Sequence, residues 1–113
     1  MKESDWKLLR KLKPQALERL CQRVLEEMQQ AASEPSQTFH QRYLKVFALL
    51  QERDEELAWA FDGHSRSNAW LKLRAIASLR LLTEQELSEF SEETRASLVP
   101  LEERANRPPP DRQ

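Results

Sequence analysis

Apolar side chains recur at helical spacing along most of the chain, and turn-forming residues divide them into successive runs. The first run, Trp6, Leu9 and Leu12, follows Ser4 or Asp5 as an N-cap. It is predicted to end at Lys13, because the residue before a proline is driven out of the helical region. Pro14 then suits the first position of a second helix, where its missing N–H is no loss. Leu17, Leu20, Cys21, Val24, Leu25 and Met28 follow at i, i+3, i+4, i+7, i+8 and i+11, as far as Ala31 and Ala32. Glu18, Arg19, Gln22, Arg23, Glu26 and Glu27 fill the opposite face, which is expected to meet water.

Ser33-Glu34-Pro35-Ser36 signals a turn, after which Ser36 or Thr38 can cap a third helix carrying Phe39, Tyr43, Val46, Phe47, Leu50, Leu57, Ala58 and Phe61. The register holds through the polar stretch Gln51 to Glu56. One continuous helix from Thr38 to Phe61, about 36 Å long, is therefore expected, with Asp54-Glu55-Glu56 the place where a break could fall. Asp62-Gly63-His64 reads as a stop with Gly63 in the left-handed conformation. Ser65 or Ser67 then caps a fourth helix reaching Leu81 or Leu82. Trp70, Leu71, Leu73, Ile76, Ala77, Leu79, Leu81 and Leu82 spread around most of its circumference, which predicts the most buried helix, with Trp70 in the core.

Thr83-Glu84-Gln85-Glu86 is a capping box opening a short helix with Leu87 and Phe90. Ser91-Glu92-Glu93-Thr94 resembles a second box, incomplete because threonine stands where glutamate or glutamine belongs, and Pro100 interrupts the last apolar pattern. The fold class expected is all-α: a small up-and-down bundle of three long helices and two or three short ones. It forms a single domain over residues 4–105, with a flexible proline-rich tail over 106–113.

Composition narrows the chemistry. At 113 residues, 39% hydrophobic and 33% charged, the chain has the balance of one globular domain. A lone glycine, Gly63, argues against an all-β fold and rules out the glycine-rich loops that cradle nucleotide phosphates. Cys21 has no cysteine to pair with, and His40 and His64 lie far apart, so neither a disulfide framework nor a metal site is expected. No apolar stretch approaches membrane-spanning length. Reduced thiol and polar N-terminus together lead to the expectation of a cytoplasmic protein without metal or cofactor.

The net charge of −1 conceals alternating blocks. Residues 1–23 carry +4, 24–62 carry −5, 63–82 carry +4 and 83–113 carry −4. Antiparallel helices that set opposite charges side by side explain this alternation. The sharper alternative is a basic surface of Lys7, Arg10, Lys11, Arg66, Lys72 and Arg74 that meets phosphates. Cys21 lies on an apolar stripe, where its thiolate would be disfavoured, and the paired carboxylates lie on polar helix faces, so no catalytic group stands out. Ser65, Arg66, Ser67 and Asn68 form a polar junction ahead of a helix N-terminus and are candidates to hold a small anion. Trp59 falls beside the stripe of Leu57, Ala58 and Phe61, and Trp6 lies on a short terminal helix, so both are candidate anchors for a partner or a second copy. The function expected is a non-enzymatic helical protein-interaction or small regulatory module, self-association included. Nucleic-acid binding through the basic first and fourth helices is the alternative.

Overall fold

A computed structural model describes residues 1–98; the end of the expected domain, and the tail expected over 106–113, lie outside the described residues. The described chain is all-α, with helices and turns and no strand. Helix α1 runs Glu3–Ala32, α2 Phe39–Phe61, α3 Ala69–Ser78 and α4 Glu84–Ser88, and residues 92–98 are also helical. A single 3-10 turn, Arg66–Asn68, precedes α3.

The break expected at Pro14 does not occur: α1 is one helix of 30 residues, about 45 Å long, with Pro14 inside it. Two long helices therefore replace the first three runs. The buried positions Asp5, Leu9, Leu12, Ala16, Leu20, Val24 and Ala31 step by three, four or seven residues straight across the proline. Pro14 and Arg10 are both exposed residues, so the proline and the helical bond it removes lie away from the buried stripe. Packing of the stripe outweighs the proline's local preference.

The third run behaves as expected, as the unbroken α2. Thr38 closes a reciprocal capping box with Gln41: the Gln41 N–H donates to Thr38 Oγ1 at 3.1 Å and the Thr38 N–H to Gln41 Oε1 at 2.9 Å. Gly63 adopts the left-handed conformation, φ 68°, just past the end of the helix. The fourth helix is shorter than expected, because α3 stops at Ser78 rather than Leu81 or Leu82. Its end is a Schellman motif in which the Arg80 N–H donates to the Ala77 carbonyl at 3.0 Å and the Leu81 N–H to the Ile76 carbonyl at 3.3 Å. Arg80, at φ 56°, stands where glycine is usual. The Arg23 guanidinium holds this turn, donating to the carbonyls of Leu79, at 2.6 Å, and Arg80.

Leu9, Leu12, Ala16, Leu20 and Val24 of α1 pack with Ala60 and Phe61 of α2, with Leu73, Ile76 and their neighbours of α3, and with Leu81, Phe90 and Leu98. Trp70, expected in the core, is half-buried against it. The face of α1 expected to meet water is partly covered. Arg19 donates to Glu86 of α4 at 2.6 and 3.0 Å and to the Leu81 carbonyl at 2.7 Å. Glu86 also completes the expected box with Thr83, so one carboxylate both caps α4 and fastens it to α1.

Asp5 does not cap the first helix, which starts at Glu3 after Lys2. Only 2% exposed, it accepts instead from the Ser91 N–H at 2.9 Å, Ser91 Oγ at 2.6 Å and Thr94 Oγ1 at 2.7 Å. The incomplete box at Ser91 is thus completed by a carboxylate 86 residues away in sequence. Burial alone would raise the Asp5 carboxyl; the Ser91 and Thr94 donors outweigh it and hold it below its ordinary value.

Candidate docking surface

Helices α1 and α2 form a long antiparallel hairpin, and α3 packs across one end of it. Alpha-helical spacing places Phe39, Tyr43, Phe47, Leu50, Leu57 and Phe61 on one stripe of α2. The ten residues of α3 reach about 15 Å, whereas the 23 of α2 reach about 35 Å. Cover is accordingly confined to the last turns: Ala60 and Phe61 are buried, while Phe39 is 85%, Tyr43 64% and Phe47 52% exposed. Leu44 and Leu50 are half out in solvent as well.

On α1, Leu25 is 65% exposed and lies beside Leu50 in a groove of about 280 Å³, whose walls include Cys21, Val24, Leu57 and Asp54. Leu25 and the exposed stripe residues Phe39, Tyr43, Phe47 and Leu50 thus share one side of the hairpin, with Leu44 turned about 60° beyond Phe47. Aggregations of exposed apolar residues on this scale mark interaction sites more often than isolated ones do. Charge also joins the hairpin at this end, beside the buried Ala31 and the half-buried Met28, Val46 and Leu49. Arg53 of α2 donates to both carboxylate oxygens of Glu27 of α1, at 2.8 and 3.1 Å, and to Glu56 at 2.9 Å. The hydrogen bonds from Arg53 hold the Glu27 carboxyl below its usual range, and the same partners raise the Arg53 guanidinium.

The candidate residues named from sequence fall into separate places. Trp6 is half-buried against the core with Arg10 over its ring at 5.8 Å. Trp59 is exposed and shares a groove of about 430 Å³ with Leu71, Lys72 and Arg74, apart from the Phe39 stripe. Lys72 Nζ donates to the Trp59 carbonyl at 2.7 Å. At the Ser65–Asn68 junction the Arg66 guanidinium is paired with both oxygens of Glu3 at 2.5 and 2.7 Å. Asn68 Oδ1 accepts from the Ser65 N–H at 2.8 Å, and the Ser65 and Ser67 hydroxyls lie 2.9 Å apart. An anion there would have to displace Glu3. Of the six basic candidates, Lys11 lines a groove with Glu86 and Glu89, Lys72 and Arg74 line the Trp59 groove, and Arg66 pairs with Glu3, so they do not converge on one groove.

Of the two histidines, His40 is exposed and His64 is half-buried. His64 Nε2 lies 2.8 Å from the Ala60 carbonyl, its ring stacks on Phe61, and its buried Nδ1 has no partner. Desolvation, helped by Lys13 and Lys72, lowers its ordinary value against the opposing pull of the Ala60 bond. Among the described residues no group of three or more His, Cys, Asp or Glu could hold a metal ion, and no helix is long and apolar enough to cross a membrane.

Helical spacing in the sequence places Phe39, Tyr43, Phe47 and Leu50 on one stripe, whereas the anchors expected from it are Trp6 and Trp59. The signal that identifies the stripe is a mismatch of lengths: too little apolar helix follows Gly63 to cover all of α2. No family model matches the chain, and no curated protein or solved structure is significantly similar to it.

Proposed function

We propose that this chain is a non-enzymatic, cytosolic protein-interaction or small regulatory module that docks its partner on the apolar side of the α1–α2 hairpin. One observation carries the reading: Phe39, Tyr43, Phe47 and Leu50 stand exposed on consecutive turns of a capped, continuous helix. Helix-in-groove recognition uses this arrangement, a row of anchors on a rigid backbone, and aromatic side chains supply large contact area at low conformational cost. Arg53, whose salt bridge to Glu27 joins the two helices, also lines the groove. Lone Cys21, a free thiol in that groove, fits a reducing compartment.

Nucleic-acid binding has weaker support, since Arg66 and Arg10 are engaged by Glu3 and Trp6 and the basic residues are dispersed. A photo-crosslinking residue placed at Tyr43, compared with one at exposed Gln22, tests the proposal in the cell of origin. Protein adducts at position 43 and none at 22 are expected. Absence of any protein adduct at 43, or equal adducts at both, would overturn it.

A further inference from the structure

Resting on that reading, we infer that the occupant of the hairpin's apolar side is a second copy of this chain, its α2 lying antiparallel to the first about a two-fold axis at Phe47. The rest of these 113 residues offers little apolar surface for the cover. Leu98, the last described residue, is buried at the core end, where Asp5 binds Ser91 and Thr94, and Phe39 lies beyond the opposite end of α1, about 40 Å away along that helix. Residues 102–113 carry no large apolar side chain.

The two halves of α2 differ in charge. Its first half, residues 39–50, carries Arg42, Lys45 and His40 and no acid, whereas residues 51–61 carry Glu52, Asp54, Glu55 and Glu56 with Arg53. Of these only His40 and Asp54 lie on the Phe47 face, while Arg42, Lys45, Glu52 and Glu56 turn to the other side of the helix; two antiparallel copies set each His40 end against an Asp54 end, and oppose the helix dipoles as well. With Phe47 on the axis, Leu44 faces Leu50 of the second copy, Tyr43 faces Gln51, and exposed His40 faces exposed Asp54. Because such an interface is isologous, every pair occurs twice.

Area is sufficient. Three aromatic side chains of about 150–250 Å² each, exposed as they are here, with three leucines, give about 600 Å² per copy, or about 1,200 Å² in all. That is the lower bound of specific interfaces, which fits a reversible dimer.

Sedimentation equilibrium and native mass spectrometry of the full chain test the inference through charge reversal. A reversible dimer with a micromolar dissociation constant is expected. Phe47→Glu, which sets two carboxylates together on the axis, should weaken it by about a hundredfold or more, with helicity and thermal unfolding of the monomer unchanged. His40→Glu and Asp54→Lys should each weaken the homodimer by about three- to tenfold. Mixed together they should form a heterodimer in preference to either homodimer, because one copy of the pair is then Glu–Lys, the other is the parent His–Asp, and no like-charged pair is left. A chain monomeric up to sub-millimolar concentration, a dimer indifferent to Phe47→Glu, or no preference in the mixture would overturn it. If position 43 still crosslinks to a different protein while the chain is monomeric, the docking surface stands and only the second copy is lost.

Discussion

The two ends of the molecule are built on opposite terms. At the core end α1, the last turns of α2, α3 and the segments after Leu81 converge, and Leu9, Leu73, Ile76 and Leu81 are sealed from water. At the hairpin end α1 and α2 run on alone, joined by Arg53, Glu27 and Glu56, with their large apolar residues facing out. Helical periodicity is the same at both ends; what differs is whether the chain supplies a third element to bury the stripe. Stability resides where three elements meet, and recognition where only two do.

The sharpest test of that contrast is a pair of truncations measured by denaturant unfolding at low protein concentration. Leu73→Ala should cost about 2–5 kcal/mol, whereas Tyr43→Ser should change stability by less than about 0.5 kcal/mol. A large cost for Tyr43→Ser in the monomer would erase the distinction. Next in size is Asp5→Asn, which should cost about 2 kcal/mol by leaving the Ser91 and Thr94 donors poorly satisfied, and should release amide protection over residues 92–98 while leaving α2 protected. Its pH dependence has a definite sign. The folded Asp5 carboxyl sits below its ordinary 3.8, so its contribution is complete above that value and is lost as pH falls through the lower folded one. The variant and parent curves should converge there.

Pro14→Ala should stabilise the core end by about 1–2 kcal/mol, since the Arg10 carbonyl regains a helical donor and the stripe is untouched; part of the gain is offset by a freer unfolded chain. The smallest effect is expected from His64. Its folded value lies below the ordinary 6.5, so the unfolded chain protonates first and stability declines as pH falls through that value. His64→Gln should flatten this decline in thermal unfolding without altering the hairpin.

Local chemistry made much of the fold legible. The Thr38 cap, one of two offered, the Thr83–Glu86 box and the Gly63 stop involve residues three positions apart or less, and each is found in the structure. Pro14 was misleading because its local rule competes with a stripe that continues from Leu9 through Leu12 and Ala16 to Leu20. The helix end at Ser78 escaped notice because Arg80, rather than glycine, takes the left-handed position. Asp5 could not be read at all: a carboxylate reveals nothing of a partner 86 residues on. For the docking surface, the stripe was visible and its lack of cover was not, since periodicity says that a face is apolar without saying what it meets.

The bond between Asp5 and Ser91 also sets an order of events during synthesis. Helix α1 leaves the ribosome early, carrying a carboxylate at a position that ends up sealed, and its donors are made only after α2, α3 and α4. Until then the first turn must keep that charge hydrated and cannot settle into the core. The N-terminus of this chain is consequently among the last parts to be fixed, and a nascent chain halted before Ser91 would have its first turn loose, however complete the helices between.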